Sequence, residues 1–460
     1  MDTVHGELKA PNNVRFITFN VNGIRTLFSH YPFSRMNNSL SQLFKFLDGD
    51  IITFQELKID RLTVSKWGIV DDAYSFITIP KVKRGYSGVG CWVRIREESD
   101  PLSSLLKVVK AEEGITGLLK VKRNGELVSY RDDPTIGIGG YENLPYSDDA
   151  EELDSQGRCV IIELACGIVV ISTYCPANST QTEEGEVFRM KFLKLLFKRV
   201  RNLKEQGKEV VLMGDINVSR DLIDKAEALE QQRLIIRDAD AGLEFEKKYM
   251  NAVRGFIYDP LRITCRMLNE MLADSIIPEF ARNGILIDST RYIQGRNRLK
   301  MYTVWNTIMN SRPVNYGSRL DYIFVTTALQ SRIRNANIWP QIMGSDHCPV
   351  FLDLSFTKIT AVVLDKTYPI PKFEARLKYN LNQKNIMDMF KPGSMISFKE
   401  KPNLVRNRIA KRMSKNTPNI QSHFDNKNKK REIDIGKLNI YSLKKTNEAQ
   451  AADEKGLDST

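Results

Sequence analysis

Nine short runs dense in Val, Ile and Phe punctuate the first 357 residues, and nearly every one stops at a polar side chain able to do chemistry. They are VRFITF (14–19), DIITFQ (50–55), YSFITI (74–79), GVGCWV (88–93), CVIIEL (159–164), GIVVIST (167–173), EVVLMG (209–214), LDYIFV (320–325) and PVFLDL (349–354). Branched and aromatic residues fit a pleated, buried surface, so each run predicts a strand. Between them lie helical patterns. From Glu186 to Gln206, Val187, Phe188, Phe192, Leu195, Leu196, Val200 and Leu203 fall near one face of a helix. Strands alternating with helices predict an α/β fold.

The polar run-ends constrain function. VRFITF leads into Asn20-Val21-Asn22, DIITFQ into Glu56, GIVVIST into Tyr174, and EVVLMG into Asp215-Ile216-Asn217. Asp321 sits inside the entry to its run, and Asp346-His347 precede PVFLDL. Ligands of α/β sheets bind beyond strand ends, so these groups are candidates for one rim. Asn and Asp also end strands merely because they make turns, an alternative that weakens when so many occur together. Asn22, Glu56 and Asp346 offer oxygen alone, the donor set a hard cation such as Mg²⁺ prefers. His347 beside a carboxylate is a base or a cation held for a phosphate. A metal, an oriented carboxylate and an imidazolium suit hydrolysis of a phosphodiester by water. Neither a nucleophile elbow, nor a Gly-rich dinucleotide turn, nor zinc-ligand spacing competes with this.

Charge divides the chain. From Lys358 onward there are 22 Lys and Arg against 11 Asp and Glu, which accounts for nearly all of the net +12. Residues 357–380 keep a little apolar periodicity before apolar density falls, and residues 358–460 as a whole are expected to be a basic, largely disordered tail. Residues 1–13 are expected to be a flexible N-terminus and 14–357 the folded domain. Residues 122–157, rich in Gly and acid, predict a surface loop, and 222–285 a charged helical insert. Six cysteines without a C-x-x-C pair, mostly in apolar runs, predict buried free thiols and a reducing compartment. No membrane-spanning run and no apolar leader segment is present in this sequence.

The motifs FNVNGIR (19–25), FQELK (54–58), GYSGVGCWVR (85–94), TYCPANS (173–179), GDINV (214–218), YTVW (302–305), RLDYIFV (319–325) and GSDHCPV (344–350) follow one another in the order of the exonuclease III family, the class II AP endonucleases. Over roughly residues 14–357 the chain resembles that family, and most of all its fungal AP endonuclease 2 branch. The resemblance implies a four-layer α/β sandwich of the endonuclease/exonuclease/phosphatase type, two mixed β-sheets flanked by helices. It implies a Mg²⁺-dependent DNA-repair phosphodiesterase, with Mn²⁺ as a substitute, that acts on double-stranded DNA carrying abasic sites or blocked 3′ ends. A nuclear monomer that binds no membrane is expected.

By resemblance, Glu56 is the principal metal ligand, with Asn22 and Asp346 on the metal shell and Asp215, Asn217 and His347 close enough to share it. Asp215 would align the attacking water, and Asn217 and Tyr174 would donate to the phosphate. His347, held by Asp321, would neutralise the phosphate, and Asn20 would support Asn22 from behind. Asn178 and Arg158 are weaker matches. Val304, Ser318 and Leu320 resemble the family's abasic-sugar pocket, but Val304 and Ser318 stand where aromatic residues are usual. Asn22 likewise stands where Asp is usual. No cysteine follows Cys348, so the zinc module of some relatives is not expected.

In the tail, Gln383, Ile386, Met389 and Phe390 resemble a degenerate sliding-clamp (PCNA) box, because one helical turn would gather the three apolar side chains into a plug. The poorer copy at 417–424 is expected to be solvated tail. Basic clusters at 406–415 and 427–431 suit nuclear import or loose DNA contact. Two other functions compete: an inositol-lipid phosphatase on the same fold, which leaves the clamp-like box unexplained, and a catalytically dead scaffold, which would be expected to have lost one of Glu56, Asp215, Asn217 or His347.

Overall fold

The computed structural model describes residues 7–83, 85–123, 125–179, 182–357, 359 and 369–381. In chain order the strands are β1 (Asn13–Asn20), β2 (Ile51–Gln55), β3 (Ala73–Thr78), β4 (Val89–Arg94), β5 (Val108–Glu113), β6 (Lys120–Arg123), β7 (Glu126–Ser129), β8 (Cys159–Leu164), β9 (Ile168–Tyr174), β10 (Glu209–Asp215), β11 (Leu286–Asp288), β12 (Val304–Trp305), β13 (Gly317–Ser318), β14 (Asp321–Thr326), β15 (Ile333–Ile338) and β16 (Val350–Ser355). Each of the nine apolar runs is one of these strands. They form two six-stranded mixed sheets, β15-β16-β1-β2-β4-β3 and β11-β14-β10-β9-β8-β5. In each, one pair is parallel, β1 with β2 and β9 with β10, and the other pairs are antiparallel.

Alternation along the strands explains the layering. In β1, Val14 and Phe16 join Val170, Val211 and Ile323 in a core between the sheets, whereas Ile17 and Phe19 point the other way. Those outward residues pack with Leu43 and Leu47 of the helix Leu40–Leu47. Across the molecule, Ile171, Leu212 and Phe324 pack with Phe192, Leu196 and Val200 of the helix Glu183–Glu205. A strand with both faces covered reads as a continuous apolar run, which is why these strands stand out in the sequence. The result is helices, sheet, sheet, helices: the four-layer sandwich expected.

Three expectations change. Residues 122–157 are not simply a surface loop. Strands β6 and β7 form a hairpin, Asp148–Asp154 is a helix, and Tyr130, Ile138, Leu144 and Leu153 are buried. Asp154 ties the segment down by accepting from the backbone of Ile115 (2.6 Å) and Thr116 (2.9 Å) and from the Thr116 hydroxyl (2.5 Å). Its apolar residues follow no helical or strand period, so no sequence signal marked them. At the N-terminus, Lys9 is pinned to buried Asp50 at 2.8 Å, so the body begins before residue 13. At the other end, Phe373, Ala375 and Tyr379 lie buried against the first sheet, beyond the compositional boundary at 357. Glu374 pairs with Phe76 on β3, the edge strand, and the Tyr379 hydroxyl donates to Ile77 O at 2.9 Å. Covering an exposed strand edge in this way removes a pairing hazard.

The insert at 222–285 is helical as expected, and buried ion pairs fasten it to the sheet. Arg220 meets Asp221, Asp274 and Asp288 at 3.2, 2.9 and 3.0 Å. Arg319 meets Asp224 at 2.8 Å and Asp288 at 2.7 Å, and Arg291 also meets Asp224 at 2.7 Å. Buried ions persist only when paired this closely, so removing one partner is costly. Arg319 stands two residues before Asp321, so the network also fixes the entry to β14. Among the described residues no helix is long and apolar enough to cross a membrane.

Candidate active site

Strand period decides who meets whom. In β1 the inner face carries Val14, Phe16, Thr18 and then Asn20, while in β10 it carries Val211, Met213 and then Asp215. Asn20 and Asp215 therefore face one another across the gap between the sheets, and the Asn20 amide donates to Asp215 Oδ2 at 2.9 Å. The same amide donates to Glu56 Oε1 at 2.9 Å. Beneath them Thr18, Thr53 and Gln55 exchange buried hydrogen bonds of 3.1–3.2 Å, a polar floor that fixes the ends of β1 and β2.

Residues just past the strands are turned back toward this rim by left-handed backbone: φ is 44° at Asn22, 52° at Glu56 and 55° at Asn217. Such conformations are costly for side chains other than Gly and gather at functional sites. Asn22 donates from Nδ2 to Asp346 Oδ1 at 2.9 Å, and its backbone N donates to Asn20 Oδ1 at 3.0 Å. Its own amide oxygen accepts from Lys58, whose ammonium lies 3.0 Å from Glu56 Oε2. A cationic group thus already rests between Glu56 and Asn22. That donor set, with Asp346 alongside, fits a hard divalent ion.

On the other sheet, Asp215 and Asp321 pair across β10 and β14, and Tyr174 pairs with Asp215 across β9. His347 Nδ1 lies 2.7 Å from Asp321 Oδ2, which also accepts from the Thr303 hydroxyl at 2.6 Å. Burial alone would lower the His347 pKa, but Asp321, then Asp215 and Asp346, outweigh it and raise it to about 10. Burial, followed by the charge of Asp321, pushes Asp215 up to about 7. Burial, Glu56 and Asp215 push the Tyr174 phenol up, so it remains a donor.

Asp215, Asp321 and His347 bring ligand atoms within 4.8 Å of one another, a spacing that could also hold a metal ion. It lacks Glu56 and Asp346. The imidazolium already offsets one of its two carboxylates, so the oxygen-rich set around Glu56 is the better place for a metal ion.

Asn217 donates to Cys175 O at 2.8 Å and to Asp215 Oδ2 at 3.2 Å, and its own carbonyl accepts from Arg189 at 2.7 Å. Arg158 lies between the rings of Tyr86 and Tyr174, at 5.1 and 4.7 Å from their centroids, and so positions Tyr174. Asn178 sits apart, bonded to Thr182 at the start of the helix Glu183–Glu205. Val304 and Ser318 line a cleft of about 790 Å³ beside Asp346, together with Trp305, Tyr316 and Glu230. Leu320 does not line it; its backbone bonds to Thr303 and Ile216. Gln383, Ile386, Met389 and Phe390 lie outside the described residues. The sequence reading passed over Lys58 and Thr303, although both stand inside the motifs FQELK and YTVW. It also passed over Ser345, whose hydroxyl donates to Asn20 O at 2.8 Å and joins the His347 turn to β1.

Residues 17–347 match the model of the Endonuclease/Exonuclease/phosphatase family. The chain is 56% identical over 387 residues to the DNA-(apurinic or apyrimidinic site) endonuclease 2 of Saccharomyces cerevisiae, covering 83% of this chain and 74% of that protein. It is 35% identical to the protein of the same name from Schizosaccharomyces pombe, over 74% of this chain and 58% of that one. Among solved structures it resembles the Xenopus laevis APE2 catalytic domain at a TM-score of 0.56 and 25% identity, over 79% of this chain and 97% of that one.

Proposed function

This chain belongs to the endonuclease/exonuclease/phosphatase family, and from that premise we propose that it is a DNA-repair phosphodiesterase. It hydrolyses DNA 5′ to abasic sites and also removes 3′ blocks and 3′ nucleotides in base excision repair. The observation that carries this reading is the Asn20 amide, which bridges Glu56 on one sheet and Asp215 on the other and so joins a metal-binding carboxylate to a base in one rim. The likeness to the yeast endonuclease supports the choice of DNA over other phosphodiesters.

Glu56, Asn22 and Asp346 would hold the ion, Mg²⁺ by their oxygen donors, with Mn²⁺ as its substitute. When bound, such an ion supplies positive charge for the phosphate oxygens. The chain's own groups do the rest. Asp215, ionised above about pH 7, orients the water and takes its proton. Asn217 and Tyr174 donate hydrogen bonds to the phosphate and the leaving oxygen. The imidazolium of His347, fixed by Asp321, offsets phosphate charge.

The protein works as a monomer in the nucleus, and the tail box around Gln383, Ile386, Met389 and Phe390 docks on a sliding clamp. Ser318 and Val304 give the cleft little aromatic wall against a flipped-out, base-free sugar, so trimming of frayed 3′ ends should outpace abasic incision. Matched duplexes carrying an internal abasic site, a 3′-phosphoglycolate or a mismatched recessed 3′ end, each with Mg²⁺ or EDTA, test both points. Cleavage that survives EDTA, or none on any duplex, refutes the reading; faster abasic incision refutes the ranking.

A further inference from the structure

The segment between β12 and β13 lines the cleft beside Asp346, and its tip is bare: Ile308 is 95% exposed, Val314 75% and Met309 73%. One residue in it is held from several sides. Arg312 donates from Nη1 to Ser345 O at 2.8 Å and to His347 O at 3.4 Å. From Nη2 it donates to Ile342 O at 2.8 Å and to Pro340 O at 2.9 Å. Its guanidinium carbon lies 4.4 Å from the centroid of the Trp305 ring, in β12 itself. All four acceptors are backbone carbonyls of residues 340–347, the irregular stretch between β15 and β16 that presents Asp346 and His347.

The other ties of that stretch are single contacts: Asp346 O accepts from Trp305 N at 3.0 Å and Asp346 Oδ1 from Asn22 at 2.9 Å, Ser345 bonds to Asn20 O at 2.8 Å, and His347 Nδ1 lies 2.7 Å from Asp321. Beyond a single bridge between His347 and Val304 no helix or ladder holds it, so its shape depends on what satisfies its carbonyls. Only a planar fork with several donors in fixed directions can meet four of them at once; an ammonium cannot.

We infer that Arg312 is a positioning residue that joins the cleft-lining segment to the turn bearing Asp346 and His347, so that a strand seated in the cleft bears on the reacting groups. This rests on the phosphodiesterase reading above. A DNA contact would act through KM, and a plain stabiliser through folding. A positioning residue acts through kcat, because small displacements of reacting groups cost about 10²-fold in rate.

Wild type, R312M and R312K are compared on the 3′-blocked duplex with Mg²⁺, alongside thermal melting and the low-field proton resonance of the His347–Asp321 hydrogen bond recorded without DNA. In both variants kcat should fall about 10²-fold while KM stays within about twofold, and the resonance should move or broaden. A raised KM with kcat intact would make Arg312 a DNA contact and overturn the inference. So would full rescue by lysine, which would mean that charge alone suffices, or an unchanged resonance. If R312M fails to fold, R312K, which keeps the positive charge on an apolar stem, decides alone. If wild type cuts no DNA, the phosphodiesterase reading fails, while the resonance still tests the joint between Arg312 and the turn.

Discussion

At the scale of the residue, the site works by unequal environments for similar groups. Glu56, partly open, faces Lys58, whereas Asp215 is buried and raised to about 7 between Asp321 and Asn20. The first is suited to hold a cation and the second to accept a proton. Glu56→Ala should therefore abolish cleavage and weaken binding of Mn²⁺, followed by calorimetry. Asp215→Asn should abolish cleavage while leaving the binding isotherm nearly as it was. Loss of a preorganised group of this kind costs a factor of about 10² or more. Near-wild-type cleavage by either variant at saturating metal, or equal loss of metal binding in both, would show the roles wrongly divided.

At the scale of the element, the segment 369–381 is the least expected piece. Composition assigns it to the tail, yet Phe373 and Tyr379 fill the two cores that flank the first sheet and Ala375 lies against Gly68. Burying each such aromatic side chain contributes about 2 kcal/mol. A chain ending at Thr357 should consequently melt several degrees below one ending at Leu381, and should aggregate more readily through the bared edge of β3. Equal melting midpoints in scanning calorimetry would mean that the segment adds nothing to the fold. The little apolar periodicity of 357–380 did not mark it as core, because three buried apolar residues in thirteen make too short a stripe; only the sheet edge they cover gives them a purpose. The insert that Arg220, Arg291 and Arg319 secure poses the same difficulty, since each arginine looks like ordinary surface charge until its carboxylate partners are placed.

At the scale of the whole molecule, a nearly neutral catalytic body is followed by a basic tail, so the polar strand ends and most of the net positive charge belong to different parts of the chain. If the tail box binds a sliding clamp, a peptide spanning residues 379–395 should bind purified clamp. Replacing Ile386, Met389 and Phe390 with Ala in the full chain should erase stimulation by the clamp and leave cleavage of short duplexes unchanged. A peptide that shows no binding in titration would return the tail to a solvated, DNA-facing role.

Much of this was legible in the sequence because two-sided burial writes itself into a strand as an unbroken apolar run, and the chemistry lies where those runs stop. The strands β1, β2, β9, β10, β14 and β16 could be read that way, as could Asn20, Glu56, Asp215 and Asp346-His347 at or near their ends. What the sequence could not determine is which ends meet. Asn20 and Asp215 are 195 residues apart, and their 2.9 Å bond exists because two sheets pack inner face to inner face with those strand ends in register. Arg312, Lys58 and the buried arginines acquire their partners by the same packing. A single polar residue carries no period, so its role is decided by whatever the tertiary structure brings within hydrogen-bond reach.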